Sequence, residues 1–440
     1  MALQSAEQTS LSSPHAGWRR ITRHPSIMEY QRLFLLVILI NGVVLLWGFE
    51  NQIWWGAKGF ALDRISEMAL INFALGIVIR QQRLINFLFW FATRIPTSWP
   101  LWLRWGAGKV FHFGGLHSGG NIVGSVWFAF LLGGMGSNYA SGLGQVSILT
   151  LGLTSAILVL LGVMIVTALS RIRARFHNLF ERTHRFIGWT VLTLFWVQTV
   201  SIVEDSGTAL TGSMAFWMLC LITLSIISPW LSLKKVPIEV VKPSGHAVSI
   251  RFNYGDTPFP GSSNAISLNP LLEWHSFANI PAPGEEGYRL IVSRAGDWTG
   301  RFIDNPPSHV WVKGITTSGV ARIEVLFKKV VYVATGSGIG PVMPHLLAKD
   351  VPIRLIWSTR SPRKTYGNAL VDEILEASPD ALIWDTDARG KPDLSQLARQ
   401  AVQEFDAEAV ICIANQKLTR KVVYDLESLG VPAYGAIWDS

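Results

Sequence analysis

The chain has 440 residues, 49% of them hydrophobic and only 15% charged, with a net charge of +8 and a positive mean hydropathy. Soluble domains carry about 25% charged residues, and the shortfall falls in the first 235 positions, so the N-terminal half reads as membrane and the remainder as soluble. The basic excess lies in short loops beside apolar runs, the positive-inside pattern, which removes nucleic acid as the expected partner and leaves the bilayer. Two cysteines, Cys220 and Cys412, lie in different halves, so no disulfide framework is expected.

Residues 1–31 are polar and read as a cytoplasmic segment; no signal peptide is visible, because the first apolar run is a full span rather than a short h-region. Apolar runs of spanning length, about 20 residues, are predicted six times within 32–233, near 32–50, 66–88, 111–135, 145–169, 183–203 and 212–232. Arg80 and Arg83 interrupt the second, which allows a half-span followed by an interfacial segment through FLFWFATRIPTSW. Arg19, Arg20 and Arg23, then Arg80 to Lys109, then Arg171 to Arg185, then Lys234 and Lys235 mark the cytoplasmic side. The expected topology is a multi-pass protein of a plasma or inner membrane, with both termini and the soluble half cytoplasmic.

After Pro237 the pattern changes. The runs IEVVK, AVSIRFNY, YRLIVSRA and HVWVKGI alternate and are separated by glycine and proline, which predicts a small antiparallel β-barrel over 234–325. From Lys328 the order becomes strand, glycine loop, helix, strand, which predicts a parallel α/β nucleotide-binding domain over 326–440. The fold class is thus an α-helical membrane bundle of six helices joined to an antiparallel barrel and a parallel α/β domain.

Two histidines stand at the entrances of two spans, His117 in KVFHFGGLHSGGN and His184 in FERTHRFIGW. Both follow basic clusters, which puts them at one depth near the cytoplasmic face. A histidine pair facing across a helical bundle is a way to hold the iron of a b haem. Each histidine alone also fits a helix cap at the interface. His112 and His177 are the alternate ligands, nearer the aqueous boundary.

The bundle resembles the ferric reductase-like transmembrane family, which includes NADPH oxidases and yeast-type metalloreductases. In that family the third and fifth helices each carry an inner and an outer histidine. Here Phe130 and Leu131 follow His117 by thirteen and fourteen residues, and Gln198 follows His184 by fourteen. The resemblance therefore implies one inner haem, with no outer pair. HSFA, His275 to Ala278 with Ser276 and Phe277 between, is similar to the family's HPFT stretch against the flavin ring, with Ser276 and Ala278 in place of proline and threonine. Gly296, Asp297, Trp298 and Thr299 form GDWT twenty-one residues after His275, matching the family's FAD diphosphate segment at a helix start.

In VVYVATGSGIGPV a buried strand runs into Gly336, Ser337, Gly338, Ile339, Gly340 and Pro341, similar to the GxGxxP loop of ferredoxin reductase-type domains. Glycines there let a cofactor phosphate reach backbone N–H groups. Arg360, Ser361, Arg363 and Lys364 follow the next strand, where positive charge favours the 2′-phosphate of NADPH; a solvated basic loop is the alternative. Arg389 adds a further candidate contact. The resemblance also implies two catalytic positions. Cys412 takes the place of the cysteine beside the nicotinamide, although CIAN has lost the family's glycine and proline, and Trp438 takes that of the near-terminal aromatic stacked on flavin. A buried cysteine and a packing tryptophan are the plain alternatives.

HExxH, GxSxG and Walker A motifs are absent, which excludes the hydrolase chemistries they serve. The expected activity is transfer of electrons from NADPH through FAD to a single inner b haem and then to a metal, quinone or other small molecule. The alternatives are a haem-free membrane flavoenzyme and a non-catalytic regulatory membrane protein.

Overall fold

The computed structural model describes residues 21, 24, 27–56, 59–143 and 146–436. The N-terminal part is helical: α1 Glu29–Glu50, α2 Leu62–Val78, α3 Gln82–Ala92, α4 Leu101–Ala107, α5 Gly114–Ala140, α6 Ile148–Ala168, α7 Ser170–Arg175, α8 His177–Ser206 and α9 Met214–Ile227. A two-residue ladder, β1 Trp55–Gly56 with β2 Gly59–Phe60, closes the turn between α1 and α2.

Among the described residues four helices, α1, α5, α6 and α8, are long and apolar enough to cross a membrane. The expectation of six is not confirmed. The second run breaks at Arg80–Gln81, where the Gln81 side chain accepts from the backbone N–H groups of Arg83 and Leu84 and so starts a new helix, α3. The last run yields α9, only 14 residues, or about 21 Å at 1.5 Å per residue, against a hydrocarbon core of about 30 Å. Within the bundle α5 is the central helix. Gly120 lies against the backbone of α2 at Asn72 and Gly76, and Gly115 against α1 at Tyr30, so a side chain at either position would hold the helices apart. Asn41, Asn72 and Trp127 satisfy one another inside this contact, through bonds of 2.8–3.0 Å.

The short helices α3 and α4 join the bundle to the soluble half. On one side Phe89, Phe111 and Phe113 enter the same core as Leu326, Phe327, Val330 and Tyr332. On the other, Phe87, Trp90, Phe91, Trp99 and Trp102 are exposed, the aromatic composition favoured at a membrane interface.

The antiparallel strands are β3 Leu233–Pro237, β4 Glu239–Val241, β5 Ala247–Phe252, β6 Ser262–Ser267, β7 His275–Ala278, β8 Tyr288–Ser293, β9 His309–Lys313 and β10 Thr317–Ser318. The ladders do not form the single closed barrel expected from the alternation. They divide into a sheet in the order β10-β6-β9-β3, with β7 on β6, and a separate sheet β4-β5-β8. The isolated Ile280–Arg289 bridge links them. Ile250, Leu290, Val310 and Val312, together with Phe302 of helix α10 (Asp297–Asp304), fill the space between.

The C-terminal unit is a five-stranded parallel sheet in the order β13-β12-β11-β14-β15. Its strands are β11 Val330–Thr335, β12 Ile353–Thr359, β13 Leu382–Asp385, β14 Ala409–Ile413 and β15 Ala433–Gly435. The connecting helices are α11 Ile339–Ala348, α12 Pro362–Tyr366, α13 Asn368–Ala377, α14 Thr386–Arg389, α15 Leu394–Phe405 and α16 Gln416–Ser428. Both faces of β11 are covered, which is why its sequence is a continuous apolar run rather than an alternating one.

Two ion pairs fasten the halves. Arg104, 3% exposed, makes a fork to Glu408 at 2.6 and 3.0 Å and also donates to the carbonyls of Leu326 and Trp99. Lys109 reaches Glu427 at 2.5 Å, and Trp105 donates to the same carboxylate. Losing one partner of a buried pair costs about 3–5 kcal/mol. Arg104→Leu is therefore expected to lower stability by an amount of that order and to open the 81–113 segment to protease. An unchanged denaturation midpoint together with unchanged proteolysis would show that the fork is not what holds the halves together.

Candidate functional site

The parallel sheet has a topological switch point at β11. From β11 the chain moves outward to β12 and β13 on one side, then crosses to β14 and β15 on the other. Ligands of open α/β sheets bind outside the carboxyl ends of the strands at such a reversal. The glycine turn lies there. Gly336 has φ +51°, a left-handed conformation that favours glycine, and its carbonyl accepts from Trp357 Nε1 at 2.9 Å. Gly338 sits against the carbonyl of Ile413, so a side chain would push the turn off β14. Ile339, Gly340 and Pro341 open α11, and Ile339 is buried as its anchor, while Ser337 is exposed at the tip. The space outside Gly336 is open except for the hydroxyl of Tyr366, which also meets Ser293. This open, N–H-rich turn fits a nucleotide phosphate.

At the end of β12, Arg360 and Lys364 are exposed with no acidic partner among the described residues. Arg363 is paired with Asp372 at 2.7 Å, and Arg389 lies over the Trp384 ring. Ser361, at φ +35°, is engaged by Asp385 and Asp387. The basic loop is thus partly neutralised, leaving Arg360 and Lys364 as its free cations. The acidic partners come from helix α13, the end of β13 and helix α14, outside the run WSTRSPRK, which gave no sign of them.

The two motifs 21 residues apart meet. His275 of β7 stacks on Trp298 of α10 with ring centroids 4.0 Å apart, and Phe277 flanks the same ring at 6.2 Å. Glu273, which the sequence did not single out, accepts from Trp298 Nε1 at 2.5 Å. Burial holds the His275 imidazole below its ordinary pKa, with Glu273 pulling the other way, and its Nε2 is buried without a hydrogen-bond partner. Ser276 and Ala278 pair with Ala265 and Ser263 in the ladder. Thr299 Oγ1 accepts from the N–H groups of Ala295 and Gly296, while the space around Gly296 is open. Asp297 starts the helix. An aromatic shelf, an imidazole nitrogen whose nearest carboxylate oxygen is Glu273 at 3.8 Å, and an open helix start suit a flavin dinucleotide.

Cys412 lies elsewhere. Along β14, Ile411 and Ile413 turn to the core shared with α11, whereas Cys412 turns to the opposite face among Val331, Val333, Ala398 and Val422. It is fully buried, and burial pushes its thiol up to about 12. Trp438 lies outside the described residues.

In the bundle, His117 and His184 line one cavity with ring centroids 6.3 Å apart. His117 Nδ1 is 2.6 Å from the Gly76 carbonyl. His112 lies outside that cavity beside Glu29, and His177 is an exposed partner of Glu181. No group of three or more His, Cys, Asp or Glu side chains among the described residues could hold a metal. Arg80 and Lys313 also line the cavity. Neither was a site candidate from sequence, since one read as a topology marker and the other as part of a strand.

Residues 320–440 match the family model described as the C-terminal domain of adenylate-forming reductase 03009. The chain is 42% identical over 428 residues to adenylate-forming reductase 03009 of Coprinopsis cinerea, covering 96% of this chain and 41% of that protein. It is likewise 42% identical over 429 residues to adenylate-forming reductase 06235 of the same fungus, with the same coverage of 96% and 41%. The chain thus spans about two fifths of the length of these relatives. Among solved structures, a ferredoxin NADP+ reductase from Neisseria gonorrhoeae with bound FAD and NADP aligns at 14% identity and TM-score 0.39, over 47% of this chain and 99% of that one. Phthalate dioxygenase reductase aligns at 20% identity and TM-score 0.37, over 47% and 68%. The matches to adenylate-forming reductases overturn the expectation of a ferric reductase-like relay from NADPH through FAD to an inner b haem. Haem at His117 and His184, or at the alternates His112 and His177, finds no support in these relatives.

The placement of Cys412 has a direct chemical consequence. A thiol with a pKa near 12 is almost wholly protonated at pH 8, and the thiolate is the nucleophile. N-ethylmaleimide is expected to leave Cys412 unmodified in the native protein and to label it after denaturation, as read by peptide mass mapping. Rapid labelling of the native protein would place Cys412 at an open site.

Proposed function

We propose that this chain is an NAD(P)H-dependent, flavin-using oxidoreductase module carried on a membrane-type helical bundle, the reducing part of an adenylate-forming reductase-type system. The observation that carries the reading is the glycine turn at the switch point of a five-stranded parallel sheet. The relatives named as reductases support it.

In this reading each residue has a defined task. Gly336 and Gly338 keep the turn free of side chains, so that its N–H groups face the dinucleotide phosphates. Arg360 and Lys364 stand where the adenosine ribose would lie, and their charge favours a 2′-phosphate. Trp298 and His275 form the shelf for the flavin, and the start of α10 receives its diphosphate. FAD, when bound, supplies the exchange between two-electron and one-electron chemistry. Cys412, buried on the face of the sheet turned away from α11, is in this reading a packing residue.

The test is steady-state oxidation of NADPH and NADH by the full chain supplied with FAD and a soluble dye acceptor. Replacing both Arg360 and Lys364 by alanine is expected to raise the KM for NADPH at least about tenfold, since each hydrogen bond to a charged group contributes about 1.5–3 kcal/mol, with little change for NADH. Equal effects on both nucleotides would move the 2′-phosphate contact elsewhere. No oxidation of either nucleotide by the unaltered chain would overturn the reading.

A further inference from the structure

The bundle encloses a cavity of about 700 Å³ that reaches the antiparallel sheets. Its inner wall is apolar, formed by Phe73 of α2, Leu161 of α6, Phe195 of α8 and Leu219 and Ile222 of α9. Three cations line it from three separate elements: Arg80 after α2, Arg185 on α8 and Lys313 at the end of β9. No aspartate or glutamate is among its lining residues.

Two cations at the junction of the halves make ion pairs. Arg104 has Glu408 and Lys109 has Glu427. The cavity cations make no ion pair among the described residues, although the carboxylates of Glu181 and Glu273 act on Arg185 from a distance. The Arg80 side chain makes no hydrogen bond or ion pair among the described residues. Arg185 donates to the carbonyl of Leu271 at 3.1 Å, and Lys313 lies over the Trp274 ring at 4.9 Å. Two further polar atoms of lining residues, His184 Nδ1 and Gln31 Oε1, are buried with no partner. Cations gathered in a recess of low polarity repel one another and have lost water, and an opposite charge within the recess relieves both costs. Ionisable groups within a membrane bundle mark ligand sites for this reason. The volume lies within the range of about 300–1,000 Å³ typical of small-molecule pockets.

We propose that this cavity binds a single-chain amphiphile, its anionic head, carboxylate or phosphate, at Arg80, Arg185 and Lys313, and its apolar tail between α2, α6, α8 and α9. The inference does not depend on the oxidoreductase reading, because it rests on the walls of the cavity and the charges that line it.

The experiment uses the full chain in nanodiscs of zwitterionic lipid, loaded with a fluorescent single-chain fatty acid. Oleate, oleyl phosphate, methyl oleate and oleyl alcohol are then compared as displacing ligands. At least one of the two anions should displace the probe at a concentration about tenfold or more below that of the neutral molecules, and which one does so identifies the head group. Joint Arg80→Gln and Lys313→Gln replacement should abolish that preference while the neutral molecules displace as before. Leu161→Trp, which fills the apolar end, should weaken all four alike and serves if the charge variant fails to fold. Equal displacement by acids and neutral molecules, failure of the probe to bind, or a preference that survives the charge variant would each overturn the proposal.

Discussion

The guanidinium of Arg104 is the joint on which the two halves of this protein depend. It is buried on a seven-residue helix outside the bundle, and it can remain there because Glu408 and two backbone carbonyls satisfy its donors. Alone, the pair would be weak evidence for stability. It acts together with a continuous apolar core in which Phe89, Phe111 and Phe113 of the junction meet Leu326 and Val330 of the α/β unit. That core sets the position of β11, and β11 sets the position of the glycine turn. The geometry of the candidate nucleotide site therefore rests on contacts with helices that lie outside the nucleotide-binding unit.

The same joint places the antiparallel sheets against the mouth of the bundle. Lys313 ends β9 and reaches the cavity, and Arg185 of α8 reaches back to Leu271, just before the strand that carries His275. The candidate flavin shelf and the bundle cavity are thus neighbours through two short connections. Burial and the neighbouring Arg185 hold the Lys313 amine down to about 8, so it remains mostly charged at neutral pH. The antiparallel sheets stand between the two candidate sites, the glycine turn and the apolar recess.

Local patterns were legible in the sequence, and long-range pairings were not. The glycine turn could be read because a buried strand, closely spaced glycines and a helix start occupy neighbouring residues. HSFA and GDWT could be paired because their spacing resembled that of a known family, and Trp298 does meet His275. The break at Arg80 was visible as a charge in an apolar run, but that the following helix turns Phe89 toward the soluble half depends on a core assembled from distant residues. Arg104 and Glu408 are 304 residues apart, beyond the reach of any periodicity. Cys412 shows the limit most clearly. In a strand a side chain's face follows from parity and from what covers each side, and the helices α15 and α16 that cover Cys412 are known only from the assembled fold. The functional reading failed where resemblance in the bundle was carried over to activity, since one arrangement of helices can serve unrelated chemistry.

The most direct test of the account is anaerobic mixing of the FAD-loaded full chain with NADPH while the oxidised flavin band is followed. The account predicts rapid bleaching with one equivalent of NADPH consumed per flavin, lost when Gly338→Val pushes the turn off β14. A chain that holds FAD but whose flavin stays oxidised in excess NADPH would contradict it.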